Sequence, residues 1–205
     1  DPLTIQYPME ELVMAKDSNI MFYETDIHWT NFAALVSIET MIEELQDPAL
    51  IEALANLNFK EKPYRMSGLY WGMLGIDIWG MELNSETNDI FVQNPNATEI
   101  SLDTSCPDNA ITHYQVDSPG SPNAIFIHDS FGNAMVNFLP ELHSNFIDLY
   151  LNRCKHPSAL MTLDEITDEM QIDYLIMVAN ERSLHSTNAH HYQLAKLIEK
   201  MDEDE

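Results

Sequence analysis

Ala124-Ile125-Phe126-Ile127-His128-Asp129-Ser130-Phe131-Gly132 joins a short apolar run to a polar turn, and the fold class follows from it. Residues 124–128 have the length and composition of a buried strand. After the turn, residues 133–142 carry a helical pattern, with Ala134, Phe138 and Leu142 on one face. Residues 146–151 and 174–179 read as two further strands. Between them Thr162-Leu163-Asp164-Glu165 forms a capping box that opens a helix to about Met170. Strands alternating with helices imply parallel pairing and right-handed crossovers. The expected fold is therefore α/β, a doubly wound, mainly parallel sheet flanked by helices. Ser130 then falls just past the carboxyl end of its strand, where such sheets bind ligands. Taken alone, Asp-Ser-Phe-Gly also reads as an ordinary turn.

A second element stands about a hundred residues earlier, at Phe22-Tyr23-Glu24-Thr25-Asp26-Ile27-His28-Trp29. It follows a β-prone run over residues 19–23, read as the first strand. In extended chain, residues two apart point to the same side, so Asp26 and His28 can lie side by side. A carboxylate holding one ring nitrogen orients an imidazole as a general base. Such a base needs a hydroxyl or thiol, and Ser130 is the candidate. A lone Asp-x-His triplet is weak, and most are surface or capping groups.

Thr30 caps a helix in which Phe32, Leu35, Ile38, Ile42 and Leu45 recur at helical spacing. Asp47-Pro48 opens another helix to about Leu57. Residues 9–16 form a short helix, as do residues 67–75, whose Tyr70 and Trp71 read more naturally as core than as a ligand platform. Residues 80–123 are rich in Asn, Pro and Ser, and read as loops with short strands. Asn96-Ala97-Thr98 fits a glycosylation sequon, which matters only in a secreted eukaryotic protein. Residues 188–201 are a terminal helix. Residues 1–201 are expected to form one domain, with an acidic tail at 202–205.

The chain has 205 residues, enough for a sizeable core, and 34 Asp and Glu against 9 Lys and Arg give a formal net charge of -25. Such a surface repels nucleic acid and anionic lipid, and both are excluded as main partners. No apolar run approaches membrane-spanning length, so no membrane insertion is expected. The chain starts at Asp1 with no signal-peptide pattern and reads as a trimmed or mature fragment. Cys106 and Cys154 are too few for a disulfide framework or a Cys-based zinc site.

With both elements placed, the chain resembles the SGNH-hydrolase-like O-acetyltransferases of the alginate acetyltransferase (AlgX/AlgJ-like) group. Residues 22–30 look like that group's D-x-H-W signature before a helix. Residues 128–139 are similar to its nucleophile strand-turn-helix, and Tyr174 to Leu184 to a late strand ending in Glu-Arg. The resemblance covers residues 9–45 and 124–185, with Asp-His before Ser in the group's order. It implies an SGNH-hydrolase-like (flavodoxin-like) fold with an Asp26–His28–Ser130 triad. Ser130 would take an acetyl group and pass it to a polysaccharide or oligosaccharide hydroxyl. The implied partners are that acceptor sugar and an acetyl donor or an acetyl-delivering protein, with no cofactor and no metal. The implied location is periplasmic or extracellular. His128 departs from the general SGNH pattern, which has Gly there, and adds a second imidazole or crowds the turn.

The residue chemistry is compatible with that reaction. The Ser130 N–H, near a helix N-terminus, is a natural oxyanion donor, and Asn133 is a second candidate. Trp29 offers a flat face for a sugar ring, or simply packs in the core. Arg182 binds substrate or pairs with a nearby carboxylate. Two other readings stay open. Asp26, His28, His128 and Asp129 are possible ligands of a metal-dependent phosphoesterase, with His190-His191 solvated on the tail helix. A carbohydrate esterase of the same fold, or a non-catalytic carbohydrate-binding protein, is the third.

Overall fold

Side chains that stop and start helices set the first part of the chain. In a computed structural model, which describes residues 6–23, 28–65, 86–100, 111–117, 120–150 and 170–179, the chain divides into two units. Residues 1–95 and 134–142 make the first, and residues 96–133 and 143–205 the second. Helix α1 is Met9–Ala15. Helix α2, Asn31–Leu45, starts where Thr30 Oγ1 accepts from the Ala33 amide at 3.2 Å. It ends at Gln46, held in the left-handed region at φ 53°. Helix α3, Pro48–Asn56, starts where Asp47 Oδ1 accepts from the Ala49 amide at 2.7 Å. Strands β1, Phe59–Arg65, and β2, Glu86–Val92, pair antiparallel as a separate two-stranded sheet.

The buried face of α2 carries Ala33, Ala34, Leu35, Ile38 and Ile42. Each large aliphatic side chain there contributes roughly 1.5–3 kcal/mol by leaving water. Phe138, Leu139 and Leu142 are fully buried in the same unit, and Phe138 meets Phe59 edge-on at 6.1 Å.

A single carboxylate ties these pieces together. Asp89 of β2 is 1% exposed and accepts from the amides of Asn31 at 3.0 Å and Phe32 at 3.2 Å. Those are first-turn amides of α2, which lack partners inside the helix and carry the positive end of its dipole. The Tyr23 hydroxyl donates to the same carboxylate at 2.5 Å, and the Ile90 amide at 2.9 Å. Burial, together with the hydrogen bond to Asp89 and its charge, pushes the Tyr23 phenol far above its ordinary value. Asn31 Nδ2 donates to the Ile90 carbonyl, and Asn137 Nδ2 to Asn31 Oδ1.

The second unit is a five-stranded sheet in the order β3-β4-β6-β5-β7. Its strands are β3 Thr98–Ile100, β4 Ile111–Gln115, β5 Asn123–His128, β6 Asn145–Tyr150 and β7 Tyr174–Val178. Strand β5 pairs parallel with β6 and with β7, while β4 pairs antiparallel with both β6 and β3. The sheet is mixed, and with the antiparallel β1–β2 pair it is not the doubly wound, mainly parallel SGNH-like fold expected from the sequence. The cause lies in a segment read as loops with short strands, whose pairing the sequence does not show. Residues of β3 and β4 are short and largely half-exposed, and their antiparallel pairing onto β6 needs no crossover helix.

Two local expectations also change. Residues 133–142 form no α-helix but two 3-10 turns, Gly132–Asn137 and Leu139–Leu142. Pro140 has no amide to give and disfavours helical backbone at Leu139, and Gly132, Asn133 and Asn137 are poor helix formers. The strand expected at residues 20–23 is an isolated bridge between Phe22 and Trp29. The helices expected at 67–75, 162–170 and 188–201, and Cys106 and Cys154, lie outside the described residues. Among the described residues, no helix is long and apolar enough to cross a membrane.

Replacing Tyr23 by Phe leaves buried Asp89 short of one donor, which is expected to cost about 1.5–3 kcal/mol. Urea unfolding followed by tryptophan fluorescence measures this, because Trp29, Trp71 and Trp79 all lie in residues 1–95. A phenol raised in the folded state supports stability fully below its unfolded value, about 10, and loses that support as pH climbs above it. The wild-type protein is therefore expected to lose a component of stability above pH ~10 that the Phe variant lacks. Equal stability of the two proteins at neutral pH would remove Tyr23 from the account of Asp89.

Candidate active site

Ser130 stands at the end of a strand that its neighbours bury on both sides. Residues 124–128 of β5 are all buried, and β5 lies between β6 and β7. The strand pairing continues one residue further, where the Asp129 amide donates to the Val178 carbonyl at 3.2 Å. Asp129 then folds the chain on itself. Its Oδ1 accepts from the Phe131 amide at 2.9 Å, and its carbonyl from the Gly132 amide at 3.1 Å. This is an Asx-type side-chain bond inside a β-turn, a conformation Asp favours. Asp129 is only 4% exposed, and Ser130 is half-buried at the corner. Of the four successive amides from Asp129 to Gly132, Ser130's is the one that meets no acceptor among the described residues of its unit.

His128 is built into the turn from below. It is 1% exposed, and its ring is stacked with Phe126 at 4.7 Å and with Tyr150 at 5.2 Å between centroids. Nδ1 lies 2.5 Å from the Asp129 carbonyl oxygen, and Nε2 lies 2.7 Å from Asp148 Oδ1. Asp148 sits on the neighbouring strand opposite Phe126, one pleat from His128 and on the same face, and is 13% exposed. The Asp129 carbonyl only accepts, so Nδ1 is the donor to it, while Nε2 shares a hydrogen bond with the Asp148 carboxyl group. Burial, with the charges of Asp148 and Glu99, pushes the Tyr114 phenol up to about 12. Gly132 is required by contact: a Cβ there would lie 2.3 Å from Cβ and Cγ of His128.

The expected site residues fall as follows. Ser130 and Asn133 share the turn of the second unit, where Asn133 is exposed at the start of the first 3-10 turn. His28 and Trp29 belong to the first unit and are half-buried. Their loop is closed by hydrogen bonds from the Tyr23 amide to the His28 carbonyl and from the Thr30 amide to the Met21 carbonyl. Thr30 Oγ1 also donates to the Ile20 carbonyl at 2.7 Å. His28 is thereby held three residues before the start of α2, with its Nε2 buried. Asp26 and Arg182 lie outside the described residues.

Two residues escaped the sequence analysis. Asp148 is a lone carboxylate in Asn145-Phe146-Ile147-Asp148-Leu149-Tyr150, and a charge inside an apolar strand was its available signal. Asp89 sits in Asp89-Ile90-Phe91-Val92, within a region that otherwise reads as loop, and carried no comparable signal.

No family model matches the sequence, and a search of curated proteins finds no match. Solved structures do share the fold. PatB1 of Bacillus cereus superposes with a TM-score of 0.55 at 14% identity, covering 85% of this chain and 69% of PatB1. PatB1 with a sulfonyl adduct gives 0.51 at 13%, over 83% and 65%. A DHHW family protein from Eubacterium siraeum gives 0.54 at 13%, over 82% and 61%. The chain thus spans about two thirds of the length of these proteins or less in two of the three cases. At such identities the likeness is one of fold, and it is to PatB1 and the DHHW protein rather than to the AlgX/AlgJ group.

Replacing Gly132 by Ala forces a methyl group into the His128 ring and is expected to cost about 1–3 kcal/mol, the range of core overpacking. The same change in a His128→Gly background is expected to cost distinctly less, since both clashing atoms, Cβ and Cγ, are gone. Thermal melts of the four proteins in this cycle measure the coupling. Independent, additive losses would contradict the contact.

Proposed function

We propose that this protein is a serine acyltransferase that carries an acetyl group on Ser130 and delivers it to a sugar hydroxyl. The observation that carries the proposal is the Ser130 turn. A half-buried serine follows a buried central strand, and its own amide is the one in the turn that meets no acceptor among the described residues of its unit. Two features of the comparisons support it. PatB1, whose fold is similar, is an O-acetyltransferase. The name of the DHHW family spells a tetrapeptide that Asp26-Ile27-His28-Trp29 matches at all but the second letter.

In the proposed reaction His28, oriented by Asp26, takes the proton of Ser130 Oγ as Oγ bonds to the acetyl carbon of the donor. The oxyanion receives the Ser130 N–H, with Asn133 as a second donor. The donor alcohol leaves with the proton from His28, and Ser130 is left acetylated. A sugar hydroxyl then gives its proton to His28, attacks the same carbon, and releases Ser130 Oγ, which takes the proton back. Transfer outruns hydrolysis only where the acceptor is held at high effective concentration. Trp29 and Arg182 are the proposed acceptor contacts. The net charge of -25 favours a neutral or amino sugar, or a uronic one in high salt.

Ser130→Ala is expected to lower turnover of a chromogenic acetyl ester by ~10³-fold or more while circular dichroism stays unchanged. A variant as active as the parent would remove Ser130 as nucleophile. Transfer is checked separately by offering neutral, amino and uronic oligosaccharides at low and high salt. Acetylated sugar is expected by mass spectrometry, and Trp29→Ala is expected to reduce transfer more than hydrolysis. Fast acetate release with no sugar modified would make the protein an esterase.

A further inference from the structure

The carbonyl of Asp129 and the amide of Ser130 belong to one peptide group. No cis peptide bond occurs among the described residues, so that carbonyl and that N–H point in opposite directions. Whatever fixes the Asp129 oxygen therefore fixes the aim of the Ser130 N–H. Two donors fix it: the Gly132 amide at 3.1 Å and His128 Nδ1 at 2.5 Å. His128 cannot turn away, because it is stacked with Phe126 and Tyr150, packed so near Gly132 that a Cβ there would overlap it, and anchored through Nε2 to Asp148. The groups around it leave it little else to do. Both its nitrogens face acceptors, it is 1% exposed, and it plays no part in the proton transfers set out above.

We propose that His128, anchored by Asp148, is a positioning residue that clamps the Asp129–Ser130 peptide so that the Ser130 N–H points at the oxyanion. This rests on the acyl-transfer reading of Ser130. The clamp also polarises the peptide: a donor on the carbonyl oxygen makes the N–H of the same group a stronger donor. A preorganised donor costs no reorganisation when charge develops, which is where such groups gain their effect. His128 before Asp-Ser is thus a support beneath the turn. Gly132 makes room for it.

The test compares the wild-type protein with Asp148→Asn and with the double variant His128→Phe/Asp148→Leu, using a chromogenic acetyl ester. The double variant keeps an aromatic ring in the stack and removes both polar partners together, a change that often leaves stability intact. Both variants are expected to lose roughly ten- to a hundredfold in kcat, the range between a misplaced donor and a lost one, with KM nearly unchanged. A purely structural role would move the melting temperature and leave that split absent. Nitrogen NMR of the wild-type imidazoles is expected to show a proton on His128 Nδ1, the nitrogen that faces the Asp129 carbonyl. This second measurement stands even if a variant fails to fold. Folded variants with wild-type kcat, or a bare Nδ1, would overturn the assignment while leaving Ser130 as nucleophile. A wild-type protein that turns over no ester would instead overturn the acyl-transfer reading, and the positioning role with it.

Discussion

A carboxylate taken out of water must be met by donors, and both units of this protein are arranged around that requirement. Leaving such a group unmet costs several kcal/mol, as much as the net stability of many domains. In the first unit Asp89 is met by two first-turn amides of α2, the Tyr23 hydroxyl and the Ile90 amide. The start of α2 is thereby bound to β2 and to the residue that opens the Asp-x-His loop. In the second unit Asp148 is met by His128, and Asp129 by the amide of Phe131. The turn that carries Ser130 is what results.

This arrangement explains why a serine on a surface turn can be held accurately. Loops are ordinarily the mobile part of a protein. Here the turn is fastened on three sides: to β7 through Val178, to itself through Asp129, and to β6 through His128 and Asp148. The Ser130 amide, which meets no acceptor among the described residues of its unit, is the one the proposed acyl transfer needs. The acidic surface enters at a different level. It leaves the turn geometry alone and bears on which acceptor can approach.

Much of this was legible in the sequence where a pattern is long or a cap is chemically explicit. Thr30 and Asp47 cap their helices as their side-chain chemistry dictates. The apolar run at β5 marks a strand because burial on both faces removes polar residues, and β6 and β7 are apolar enough to read as strands although β6 carries Asp148 and β7 exposes Met177 at the sheet edge. Illegible were the elements with one wet face. Strand β1, Phe59-Lys60-Glu61-Lys62-Pro63-Tyr64-Arg65, is mostly charged, and its proline is tolerated in a two-stranded sheet. Strands β3 and β4 are short and half-exposed, so the antiparallel half of the sheet was missed and a parallel one inferred. Ser130 was visible through its strand and turn. The partner of His128 was not, because no sequence spacing links residues 128 and 148 on adjacent strands.

The central claim is that Ser130 carries the acyl group, and its most direct measurement is a trapped intermediate. The protein is mixed with an activated acetyl ester without acceptor, quenched in acid within the first turnover, and digested for peptide mapping by mass spectrometry. The account predicts one acetyl group per chain, on Ser130, disappearing when acceptor or time is allowed. An acetyl group on another residue, or ester turnover with no acylated peptide at any quench time, would contradict it.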